Sequence, residues 1–191
     1  MSTRSRSRGL AVGLLTVSCA LALVGAKAVL FPHFRFPTPT GPYAIGTATR
    51  HWVDPTRRDI LAPDPEQPRE LMVQFWYPAE RSEARPAPYL DDAAVVTPAL
   101  ARIFGVPRMA LDHLAAVRTH AVAGAPVADD PTRFPVVLLL SGLGGFRQST
   151  TFLAEELVSQ GFVVVGIDLP YAAAAVAFPD GRVAEMGSRR R

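Results

Sequence analysis

The sequence predicts an α/β fold, and three observations carry that reading. Val136–Leu140 is a continuous apolar run that enters a glycine-rich turn, Ser141-Gly142-Leu143-Gly144-Gly145. Residues 148–160 then show helical amphipathicity, with Phe152, Leu153, Leu157 and Val158 as the expected buried side. Residues 162–167 form a second apolar run, closed by Asp168 and Pro170. Strand, turn, helix, strand reads as a right-handed βαβ unit with its two strands parallel and buried.

Upstream, residues 43–54 and 71–77 are rich in β-formers and predict two antiparallel strands near a sheet edge, the second stopping at Pro78. The proline- and charge-rich stretch 55–69 between them is too long for a tight turn. His51 reads as a partly exposed histidine beside a core tryptophan, Trp52. Residues 80–130 read as an irregular insertion. Thr97-Pro98 opens a helix that carries Leu100, Ile103 and Phe104 on one side and stops at Gly105. A second helix is expected over 107–119, with Leu111, Leu114, Ala115 and Val117 inward. Asp112, His113 and His120 match no familiar metal-ligand spacing and read as surface polar residues. In the later helix, Ser149, Thr150 or Thr151 can cap the start and Gly161 the end. From Tyr171 onward no strand or helix is expected: there are an alanine run, a Pro179-Asp180-Gly181 turn and a basic tail, 183–191, with the look of a non-native ending.

The first 31 residues read differently. Arg4, Arg6 and Arg8 precede an uncharged apolar run over 9–26, the layout of a secretory signal or a single membrane anchor. The run spans a bilayer only if residues 28–31 are added across Lys27. Small-x-small sites at Ala20-Leu21-Ala22 and Ala26-Lys27-Ala28 keep cleavage open. A lipobox at Cys19 would have Thr16 where leucine is expected. Either way the basic flank places the remainder outside the cytoplasm. Residues 32–42, with four prolines, read as a stiff linker.

The formal charge of +3 arises at the two ends. Six of the 20 basic residues are Arg4, Arg6, Arg8, Arg189, Arg190 and Arg191, so the body is net acidic against 17 carboxylates, which argues against nucleic-acid binding. The single cysteine excludes an intramolecular disulfide.

Chemistry is sought at the glycine turn, because exposed backbone N–H groups there can hold an anionic oxygen. A phosphate-cradling P-loop needs Gly-Lys-Ser/Thr, and Lys27 is the only lysine. A dinucleotide fingerprint has Gly142-x-Gly144 but Arg147 where its third glycine belongs; Asp168 does stand where a ribose-binding acid would. The third reading is the oxyanion loop of an α/β-hydrolase. Here Ser141 to Arg147 resembles the oxyanion motif of the platelet-activating-factor acetylhydrolase type of α/β-hydrolase, a family of lipases and esterases. Gly-Pro-Tyr-x-Ile-Gly-Thr at 41–47, the strand Arg69 to Pro78, Gly166-Ile167-Asp168-x-Pro170-Tyr171 and Phe178-Pro179-Asp180-Gly181-Arg182 fit the bacterial members, in order. Many members have histidine in place of Ser141.

The resemblance implies the N-terminal half of an α/β-hydrolase domain over 43–182, an ester or phospholipid substrate, no metal or organic cofactor, and Leu143 N–H as an oxyanion donor. The family's nucleophile is a serine in G-x-S-x-G, followed by aspartate and histidine. No serine of this chain lies in that pattern, so an incomplete fold, inactive alone, is expected. Under it Val136–Leu140 would be an apolar strand with an open edge. A non-catalytic binding or scaffold protein and a nucleotide-binding βαβ module remain the alternatives.

Overall fold

The computed structural model describes residues 34–130 and 133–187. The expected signal or anchor over 1–31, and residues 188–191 of the tail, lie outside the described residues. Among the described residues no helix is long and apolar enough to cross a membrane.

The fold is mixed α/β, with a five-stranded sheet and few helices. Strand β1 is Ala44–Arg58 and β2 is Pro68–Ala79. They pair antiparallel from Ala44↔Ala79 to Asp54↔Arg69, with a register shift before Arg58. Both outrun their expected limits, because the prolines at 55 and 78 are carried inside strands. Helix α1 is Ala93–Phe104, β3 is Val122–Ala123, β4 is Val136–Leu140, α2 is Thr151–Ser159 and β5 is Val163–Asp168. The sheet order is β3-β1-β2-β5-β4. β4 and β5 run parallel with Val136 opposite Val163, while β2 and β5 are antiparallel.

β4 has the predicted bounds but not the predicted burial. Among the described residues it is an edge strand. Val137 and Leu139 pack on a cluster of Trp76, Ala154, Val158 and Val164, while Val136, Leu138 and Leu140 are 62%, 65% and 67% exposed. Strand alternation explains this, since an uncovered outer face exposes every second side chain.

The helices correct the sequence in their phase. α1 begins at Ala93, so Pro98 is interior. Proline removes one ladder bond there, and the Thr97 hydroxyl donates to the Ala93 carbonyl at 2.7 Å. Leu100 is buried, but Ile103 and Phe104 point outward. The end at Gly105 is as expected, in the left-handed region at φ 66°. The expected helix over 107–119 is two short 3-10 turns, Arg108–Ala110 and Asp112–Ala116, with Ala115 exposed.

In α2 the buried stripe is Thr151, Ala154, Glu155, Val158 and Ser159, and Phe152 and Leu153 are exposed. Glu155 turns inward because it accepts the backbone N–H groups of His120 and Ala121, at 2.6 and 3.0 Å, and faces His120 Nδ1 at 2.8 Å. His120 is therefore a tether between the insertion and α2, not a free surface group.

Three further expectations are corrected. Trp52 is half-exposed and Trp76 is the core tryptophan; His51 lies 3.8 Å from Glu70 and against the Phe178 ring. The described part of the linker is docked: Phe36 is buried against Tyr89, Thr40 bonds Glu156, and Gly41 N–H donates to Ser159 Oγ at 3.0 Å. A side chain at Gly41 would collide with the Ser159 carbonyl. Finally, the region after Tyr171 forms a strand pair, β6 (Ala175–Ala177) and β7 (Val183–Glu185), turned at Pro179-Asp180-Gly181. Residues 183–185 thus belong to the fold.

Trp76→Ala is expected to cost about 3–5 kcal/mol in urea unfolding, because it opens a cavity at the sheet's centre. Leu138→Lys, on the bare outer face, is expected to leave stability within about 0.5 kcal/mol and to lower aggregation measured by light scattering. A destabilised Leu138→Lys would contradict the edge placement.

Candidate functional site

The glycine turn leaves β4 at Ser141 and is held open by three glycines. Gly142 and Gly144 have φ of 74° and 71°, conformations that favour glycine. A side chain at Gly145 would overlap the Ser141 carbonyl. The turn is laced to the residues before β6: Gly144 N–H donates to the Ala172 carbonyl at 2.8 Å, and Ala174 N–H donates to the Gly145 carbonyl at 2.8 Å. Leu143 stands at the apex, 84% exposed. No oxygen of the described residues accepts its N–H. A fixed, unpaired N–H in that setting can donate to an incoming anionic oxygen.

Beneath the turn lies a buried ion-pair cluster. Arg147 is 3% exposed; its Nη1 donates to Asp168 Oδ2 at 2.8 Å and its Nη2 lies 3.5 Å from Asp92 Oδ2. Asp168 ends β5, and Asp92 stands immediately before α1. Burial pushes the Asp168 carboxyl up, opposed by the Arg147 guanidinium and the Ser141 hydroxyl. Burial also raises Asp91, again against Arg147. Phe146 is anchored beside it by an edge-to-face contact with Tyr89, centroids 6.1 Å apart. Burial drives the Tyr89 hydroxyl to about 12, so this ring acts as packing.

The five turn residues singled out from sequence, Ser141 to Gly145, are thus gathered in one rigid loop. Sequence reading missed the Arg147–Asp168–Asp92 cluster below it. Its signal was an arginine two residues past the glycines and an aspartate at the end of the next strand.

The family of platelet-activating factor acetylhydrolase, isoform II, matches residues 28–186. The chain belongs to that family. The fold is similar to a ferulic acid esterase from Streptomyces cinnamoneus, with a TM-score of 0.66, 38% identity and 81% of this chain covered. The chain spans 42% of the length of that esterase. No curated protein sequence matches.

Removing Arg147 alone leaves two carboxylates facing a void. Arg147→Met is expected to cost about 3–5 kcal/mol in thermal or urea unfolding. The double variant Arg147→Met/Asp168→Leu is expected to recover most of that loss. A single variant as stable as wild type would show that the pair does not hold the turn.

Proposed function

We propose that residues 43–187 form the oxyanion-binding part of a serine hydrolase of carboxylic esters. The observation that carries the reading is Leu143: an exposed apex whose N–H has no partner, on a loop that three glycines and two cross-bonds make rigid. When a nucleophile adds to an ester carbonyl, negative charge collects on the carbonyl oxygen, and a donor already aimed at it needs no rearrangement. The Leu143 N–H would be one such donor. The second would come from the residue after the nucleophilic serine.

That serine, and the aspartate and histidine that activate it, are not in a recognisable pattern among these residues. An oxyanion donor without a nucleophile retains only a small residue of catalysis. The chain by itself is therefore proposed to turn over no ester, and the triad to be supplied by sequence outside it. The basic and apolar opening of the sequence supports a location outside the cytoplasm. The nucleotide-binding alternative loses its ribose ligand, because Asp168 is fully buried against Arg147. A purely scaffolding role would give no reason for an exposed, unpaired apex.

Two assays test this. A fluorophosphonate probe is expected to leave the chain unlabelled. A chimera in which residues 43–187 replace the matched part of the ferulic acid esterase is expected to hydrolyse para-nitrophenyl acetate well above background. A folded chimera that binds the probe but hydrolyses nothing would refute the assignment of the turn.

A further inference from the structure

A cleft of about 230 Å³ opens at the end of the sheet opposite the glycine turn. Strand register places it there. Met72 faces Asp168 and Trp76 faces Val164, so β2 runs from the turn's end of β5 toward its start, and Ala79 lies beyond. Ala79 pairs with Ala44 of β1, and Val122 of β3 faces Gly46. Continuing those ladders sets Glu80 beside Tyr43 and His120 beside Ala44. His120, Glu80 and Ser82 line the cleft together with Pro39, Ile45 and Val122. Glu155, 1% exposed, fixes the imidazole from behind. Its Oε1 accepts the backbone N–H groups of His120 and Ala121, and its Oε2 stands 2.8 Å from His120 Nδ1. A carboxylate so engaged only accepts, so the shared proton belongs to Nδ1 and Nε2 keeps its lone pair. The His120 side chain is 34% exposed. Among the described residues none bonds its Nε2, and no cation pairs with Glu80.

We propose that this cleft binds a short-chain alkylammonium ion, whose charged head donates to Glu80 and to His120 Nε2 while its chain lies on Pro39, Ile45 and Val122. The assignment is independent of the ester-hydrolase reading, since the cleft and the glycine turn occupy opposite ends of the sheet. Charge argues first. No lysine or arginine lines the cleft, so an anion would meet Glu80 with nothing to offset the repulsion. Hydrogen bonding argues next. Glu80 and Nε2 are two acceptors on one small cavity, and an ammonium head is a pure donor that also carries the opposite charge. A metal ion fits less well, because structural and catalytic sites take three or four protein ligands, and no group of three His, Cys, Asp or Glu stands together among the described residues. A neutral alcohol would leave the Glu80 charge unanswered. Size argues last: sites for drug-sized ligands enclose roughly 300–1,000 Å³, so this cleft suits a short amine and not a larger organic cation. The buried Glu155 then acts as a positioning residue, holding His120 in the tautomer that accepts.

Methyl NMR on the full chain in phosphatidylcholine nanodiscs, titrated with n-pentylammonium, tests the proposal without any turnover. The methyl groups of Ile45 and Val122 are expected to shift and saturate together. Replacing the probe by n-pentanol or by pentanoate is expected to weaken the response about tenfold or more, because each lacks the donor charge. His120→Asn keeps an amide N–H where Nδ1 meets Glu155 and deletes the Nε2 acceptor. Glu80→Gln removes the charge from an exposed side chain. Each is expected to weaken the Kd about tenfold or more, the scale of one charged hydrogen bond. Glu66→Gln, a carboxylate in the β1–β2 loop, should stay within about twofold. Should His120→Asn unfold, Glu80→Gln decides alone. Absence of saturable shifts, an unchanged Kd in folded Glu80→Gln, or equal binding of n-pentanol would each overturn the assignment. Displacement of the amine by a lower concentration of zinc ion would overturn it in favour of a metal site.

Discussion

One buried guanidinium organises the end of the sheet where the glycine turn sits. Arg147 meets Asp168 at the end of β5 and Asp92 at the start of α1, and it follows the turn by two residues. Three chain segments distant in sequence are therefore pinned to a single side chain. Burying a charge is costly unless its partners are in place, so the cluster tolerates few arrangements, and the turn above inherits that rigidity. The glycines supply the shape, and Arg147 makes the shape persist. A loop that must present one N–H in a fixed direction benefits from both.

The sheet sets up the same end of the molecule. β4 and β5 run parallel and deliver the turn and Asp168 to one side, while β2, antiparallel to β5, brings Met72 opposite Asp168. Trp76 lies across this arrangement, and Gly166 is small where the indole crosses β5. The uncovered outer face of β4 is the sheet's exception, since five apolar residues in a row would ordinarily have neighbours on both faces.

What could be read from the sequence follows from which force dominated each segment. β4 and β5 were legible because their apolar runs end at proline and glycine. The turn was legible because its glycines are spaced for left-handed backbone. The phase of α2 was not legible from hydrophobicity, because its inward residue Glu155 is charged and is buried to satisfy the N–H groups of His120 and Ala121. α1 was misread because Pro98 signals a start and here is carried within. The strand pair after Tyr171 was hidden in alanines, whose burial comes from tertiary packing and not from propensity. In the candidate site the loop was visible and its foundation was not: an Arg–Asp pair 21 residues apart leaves no periodic trace.

The central claim concerns one atom pair, the N–H of Leu143. Its most direct test is an amide-to-ester exchange at Leu143 in an active chimera with the ferulic acid esterase, which deletes that N–H and leaves the side chain in place. Loss of an oxyanion donor predicts a fall in kcat of about 10²–10³-fold with KM little changed. A kcat within about twofold of the unmodified chimera, by the same scale of donor deletion, would contradict the account.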